Sequence, residues 1–121
     1  MDGAVEILVE KPLADRPEVF VFKIKEYLDA ETTLSLETKL EETFKQEPKH
    51  LILDLSDLDY ISSAGVGTCL GALEDIQARN GTLSIASLKE NVRHVFELLG
   101  FLKIVLEFQS AAQALEKLPK K

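Results

Sequence analysis

A chain of 121 residues with 45% apolar and 29% charged side chains has the make-up of one ordinary globular domain. Its 14 basic and 21 acidic residues leave a net charge of −7, which argues against a nucleic-acid surface, since that needs clustered Lys and Arg. The single cysteine, Cys69, excludes an internal disulfide and a multi-cysteine zinc site, and His50 and His94 are too few for a histidine-rich metal centre.

The start, Met1-Asp2-Gly3-Ala4-Val5-Glu6, has neither a basic n-region nor an apolar h-region, so it does not read as a secretory signal. The longest stretch without charge, 60–73, holds Gly65, Gly67 and Gly71 and falls short of the roughly 20 apolar residues of a membrane span. A cytoplasmic protein without membrane insertion is expected.

Along the chain, residues 5–9 form a short apolar segment that predicts a strand. Pro12 and Pro17 bracket a polar loop. Val19-Phe20-Val21-Phe22-Lys23-Ile24 is β-branched and aromatic, a second strand, and the short loop predicts an antiparallel pair. Beyond Asp29, Leu36, Leu40 and Phe44 recur every four residues and predict a helix that Pro48 closes. The nearly continuous apolar run 51–55 reads as a buried parallel strand. Val66, Leu70, Leu73 and Gln77 fall at helical spacing, and Asn80-Gly81 stops that helix. Thr82-Leu83-Ser84-Ile85-Ala86 is a fourth strand. Val92, Val95, Phe96 and Leu99 mark a third helix ended by Gly100. A fifth strand is predicted over 103–108, and Ser110 can cap a last helix carrying Ala111, Ala114, Leu115 and Leu118.

The order β-β-α-β-α-β-α-β-α implies right-handed parallel crossovers from the second strand onward. It predicts one α/β domain over 1–121, with a mixed five-stranded sheet, the first strand antiparallel, and about four helices.

Function gathers at the carboxyl ends of such strands. There the chain reads Leu53-Asp54-Leu55-Ser56-Asp57-Leu58-Asp59-Tyr60-Ile61-Ser62-Ser63-Ala64-Gly65-Val66-Gly67. A serine at the helix start lies beside free backbone N–H groups and the positive end of the helix dipole, a position that suits a phosphate. The plainest reading is that Ser62 or Ser63 caps the helix. A serine nucleophile fails on context, because there is no G-x-S-x-G turn and both histidines read as surface or edge residues. Gly65-x-Gly67-x-x-x-Gly71 is a weak dinucleotide signal, since the next strand ends Ile85-Ala86-Ser87 without an acidic ribose partner. Those glycines are expected to permit close helix–sheet packing. Asp54, Asp57 and Asp59 offer oxygen ligands for magnesium, but a solvated acidic loop accounts for them, and no metal is expected. Cys69 reads as a small core residue, and Asp29 as an N-cap or turn residue.

The run from Leu51 to Gly67 resembles the STAS domain family, and within it the bacterial anti-sigma-factor antagonists. Leu28-Asp29 ahead of the first helix is similar to the family pattern, as is Val92-Arg93-His94-Val95-Phe96-Glu97-Leu98-Leu99-Gly100-Phe101-Leu102-Lys103-Ile104. The likeness covers the chain from about Val19 to Leu118. Three positions depart from it. Ser62 stands where the family has an acidic residue, Ala64 follows the serine, and Glu26-Tyr27 replaces the usual Gly-Glu.

The resemblance implies a binding module without enzymatic activity or cofactor. Its partners would be an anti-sigma factor that is also a serine kinase and a phosphatase that restores the unmodified form. It implies phosphorylation at Ser63, with Ser62 as rival acceptor. The contact surface would comprise Asp29, Asp57, Asp59, Ser62, Ser63, Ala64 and Gly65. Other readings are a STAS scaffold or transport-complex subunit that is never phosphorylated and, from another class, a small-ligand or nucleotide-binding protein.

Overall fold

A computed structural model describes residues 6–119. The first strand, β1, is Ile7–Glu10, without the Glu6 of the predicted 5–9 and one residue longer at its end; Val5 lies outside the described residues. It runs antiparallel to β2, Val19–Ile24, with Ile7 opposite Ile24 and Glu10 opposite Val21. Before α1, Thr33–Phe44, comes a three-residue strand β3, Glu26–Leu28. Next are β4, His50–Asp54, a second short strand β5, Leu58–Ile61, and α2, Ser63–Ala78. The chain ends with β6, Thr82–Ala86; α3, Glu90–Leu98; β7, Leu106–Phe108; and α4, Ala111–Glu116.

The main sheet has the order β1-β2-β4-β6-β7, and every pair after the first is parallel. This is the mixed five-stranded α/β sheet expected from the alternation of elements. Period-two alternation divides the core. Phe20, Phe22, Ile24, Leu51, Leu53, Leu83 and Ile85 share one face with Leu36, Leu40, Val66, Leu73, Val92 and Phe96 of α1, α2 and α3. Val21, Ile52 and Ala86 face the other way, where Ala114 of α4 covers them. β4 is buried on both sides, which is why its sequence lacks a polar face. Among the described residues no helix is long and apolar enough to cross a membrane.

Three expectations are corrected, and the buried face of α2 is defined. The strand predicted over 103–108 is only Leu106–Phe108. Gly100, at φ 78°, turns the chain so that Phe101 is buried and stacks on Phe96 at 5.1 Å; Phe101–Lys103 becomes a 3₁₀ turn instead. The buried face of α2 is Val66, Cys69, Leu73 and Ile76, whereas Leu70 and Gln77 are exposed. His50 is neither surface nor edge: it opens β4 between Val19 and Thr82 and is buried. Finally, close packing applies to Gly65 but not to Gly67 or Gly71, which line an open groove between α1 and α2 where a β-carbon would meet nothing within 4 Å.

Candidate functional site

β3 and β5, which hydrophobic periodicity does not reveal, build the site. They pair in parallel as a separate two-stranded ribbon, with Tyr27 opposite Tyr60 and Leu28 opposite Ile61. Leu28, Leu58 and Ile61 are buried beneath it. The ladder continues into the helix start, because the N–H of Ser62 donates to the Leu28 carbonyl at 2.9 Å. This one bond brings the residues after Leu28, beginning with Asp29, beside the N-terminus of α2.

The two serines there have different roles. Ser62 is the N-cap, extended at φ −97° and ψ 173°; its Oγ accepts from the Gly65 N–H at 3.3 Å and its carbonyl from the Val66 N–H at 3.0 Å. Ser63 is the first helical residue and is exposed, and its hydroxyl makes no hydrogen bond among the described residues. Ala64 beside it is exposed as well. Gly65 is buried: a β-carbon there would stand 2.7 Å from the Leu28 carbonyl oxygen and 2.7 Å from Cγ1 of Ile61.

Asp29 is a turn residue and not the cap of α1, a position held by Thr32. Its Oδ1 accepts from the N–H groups of Glu31 and Thr32 at 2.9 and 3.0 Å, and the Thr32 hydroxyl lies 3.1 Å away. The Thr32 N–H above all, aided by the Glu31 N–H, holds the Asp29 carboxyl below its ordinary value, against partial desolvation. Thr32 and the Leu28 carbonyl are thus parts of the site that motif reading passes over. The only signal for them is the pair Tyr27-Leu28 ahead of Asp29.

The three other aspartates do not converge on one point. Asp54 Oδ1 accepts from the Ser56 N–H at 3.1 Å. Asp57 lies 3.8 Å from the Lys23 ammonium, and Asp59 is paired with Lys89. The Asp59 carbonyl also accepts from Asn91 Nδ2 at 2.6 Å, tying the ribbon to α3. Cys69 is fully buried under α2, and burial pushes its thiol up to about 12, so it is an inert core residue as expected. His50 Nδ1 lies 2.7 Å from the Thr82 hydroxyl. Burial lowers its pKa, with Arg16 and Lys49 acting the same way.

Residues 10–114 match the STAS domain family model, and the chain belongs to that family. It is 41% identical over 69 residues to BtrV of Bordetella bronchiseptica, assigned to the anti-sigma factor antagonists; that match spans 57% of this chain and 60% of BtrV. The anti-sigma F factor antagonist of Paenibacillus polymyxa is 23% identical over 101 residues, or 83% of this chain and 86% of its own. Among solved structures, unphosphorylated SpoIIAA, an anti-sigma factor antagonist, superposes with a TM-score of 0.78 at 21% identity, covering 93% of this chain and 95% of SpoIIAA. The phosphorylated form of SpoIIAA, from Bacillus, gives 0.71 at 20% identity over 93% and 98%. At these identities the structural likeness speaks for the fold.

Proposed function

We propose that this chain is an anti-sigma factor antagonist, a regulatory binding module and not an enzyme. It docks on an anti-sigma factor that is also a serine kinase and lets go when Ser63 is phosphorylated; a phosphatase restores it. The observation that carries this reading is the division of labour between the two serines. Ser62 is engaged in holding the helix start, while the Ser63 hydroxyl is exposed and unbonded. A kinase needs an acceptor that can enter its own active site, and Ser63 can do so without dismantling the cap. Nucleotide, metal and catalytic groups belong to the partner.

The physics of release is electrostatic. Phosphorylation adds about −1.5 to −2 charges. In the docked complex that charge faces the nucleotide phosphates and catalytic carboxylate of a kinase site, where like charges repel and desolvation is costly. Asp29, Asp57, Asp59, Ser62 and Ala64 complete the contact surface in this reading, and buried Gly65 lets the helix start lie against the ribbon beneath it.

The test is to incubate the protein with ATP and an extract of its source cells, then map any phosphoryl group by mass spectrometry. The modification is expected on Ser63, absent in Ser63→Ala and retained in Ser62→Ala. Modification confined to Ser62, or none at all, removes the proposal. Retention of ATP by the purified chain alone would point to a nucleotide-binding protein instead.

A further inference from the structure

Tyr27 and Tyr60 are register partners on the β3–β5 ribbon, and both are exposed, at 37% and 51%. Side chains of paired residues in a parallel ladder leave the same face. Leu28 and Ile61, the next pair, are fully buried on the opposite face, so the tyrosines are not needed for the core. The register shifts by one residue between Glu26 and Tyr27, and this shift makes Tyr27 and Tyr60 partners and leaves Asp59 and Tyr60 exposed in succession. Among the described residues no cation lies over either ring, the two such contacts being on Phe20 and Phe44.

The charges near this pair in sequence are mixed, but the ones left without a partner are acidic. Nearby Lys23, Lys25 and Lys89 are each already paired, with Asp57, Glu6 and Asp59. Among the described residues Glu26, Asp29 and Glu31 have no cationic partner. Aromatic faces among unpaired carboxylates suit one side chain above others. A guanidinium is planar, weakly hydrated, stacks on an aromatic face and still presents N–H groups to a carboxylate in its plane; an ammonium does not do both.

We propose that Tyr27 and Tyr60 form the docking platform for an arginine-bearing segment of the protein partner, and that they set its preference for Arg over Lys. This rests on the reading of the chain as a binding module and names the chemistry of its partner surface. It does not depend on phosphorylation: the platform holds the partner, and Ser63 carries the charge that changes.

The two tyrosines are the only ones in the chain and there is no tryptophan, so intrinsic tyrosine emission reports this ribbon alone. The probes are a blocked Arg-Gly repeat peptide and its Lys-Gly counterpart of equal charge, titrated into the whole protein. The Arg peptide is expected to change the emission saturably and to bind severalfold more tightly than the Lys peptide. Tyr27→Leu and Tyr60→Leu, which keep apolar bulk on exposed positions, are each expected to bring Arg binding down to the Lys level. For these variants, backbone amide shifts of Glu26, Asp29 and Asp59 replace emission wherever its signal is too weak. Equal binding of the two peptides, no binding of either, or an Arg preference that survives both tyrosine substitutions overturns the platform. If the preference holds while Ser63 is never phosphorylated, the switch falls and the platform stands.

Discussion

The Leu28 carbonyl oxygen accepts the Ser62 N–H at 2.9 Å, and this bond joins the end of the ribbon to the start of α2. The same oxygen would be only 2.7 Å from a β-carbon on Gly65. The helix can lie that close to the ribbon only because residue 65 has no side chain.

Substitution at Gly65 therefore strikes backbone, which cannot swing aside. Gly65→Leu is expected to lower stability by about 1–3 kcal/mol through overpacking. Gly67→Ala provides the contrast: it meets nothing within 4 Å, and by helix propensity it is expected to raise stability by up to about 1 kcal/mol. Urea unfolding of both variants checks the pair. Equal midpoints for Gly65→Leu and the parent would refute the close approach.

Glu26 adopts φ 71°, in the left-handed region, at the position where the family commonly has glycine. That conformation costs an L-residue roughly 1–2 kcal/mol, while glycine's greater unfolded-state freedom returns about 0.5–1 kcal/mol. Glu26→Gly is expected to raise stability by a few tenths to about 1 kcal/mol. Glu26→Val, β-branched at positive φ, is expected to lower it. Thermal melts decide, and a Gly variant less stable than the parent contradicts the assignment of strain to this residue.

The five-stranded sheet and four helices were legible because each rests on a long apolar period or a strong cap, as at Ser110, whose Oγ accepts from the Gln113 N–H. The ribbon was not. β3 and β5 have three and four residues, and the register shift breaks the alternation that would mark Leu58-Asp59-Tyr60-Ile61 as a strand. Without the ribbon, Asp29 and the serines share only a motif; with it, they share a hydrogen-bonded corner. His50 was misread because its neighbours in sequence, Pro48 and Lys49, are polar or chain-breaking. Its burial comes from β2 and β6, which lie far from it in sequence.

His50 also gives stability a pH dependence. Burial lowers its pKa in the folded state from 6.5, so the unfolded chain binds this proton more readily. The stabilisation is fully present above pH 6.5 and is lost as pH falls through the lowered folded value. Asp29 adds a similar loss at more acidic pH, below 3.8, since its folded pKa is also lowered. Urea midpoints of the parent should fall between pH 7 and pH 5 (on the order of the His titration range). His50→Gln should flatten that limb. Parallel pH profiles for the two proteins would show that another group is responsible.

Phosphorylation of Ser63 should change binding and leave the fold alone. The group would stand at a helix N-terminus, where Gly65 and Val66 donate to Ser62 but, among the described residues, the N–H groups of Ser63 and Ala64 have no acceptor. The dipole and these donors favour an anion there by about 0.3–1 kcal/mol. Repulsion opposes this. Asp57 and Asp59 are already paired with Lys23 and Lys89, so Asp29, which has no cationic partner among the described residues, is the principal opposing charge. The two effects are similar in size and opposite in sign, and the melting temperature is expected to move little. Partner affinity is expected to fall about tenfold or more, because a phosphate buried without a countercharge costs several kcal/mol at an interface. Ser63→Asp should reproduce part of that loss, and Ser63→Ala should stay bound. Thermal melts and partner titrations of the parent, the phosphorylated form and both variants form one experiment. Unfolding on phosphorylation would mean that the switch acts through stability. Unchanged affinity would leave Ser63 as a plain first-turn residue of a STAS scaffold.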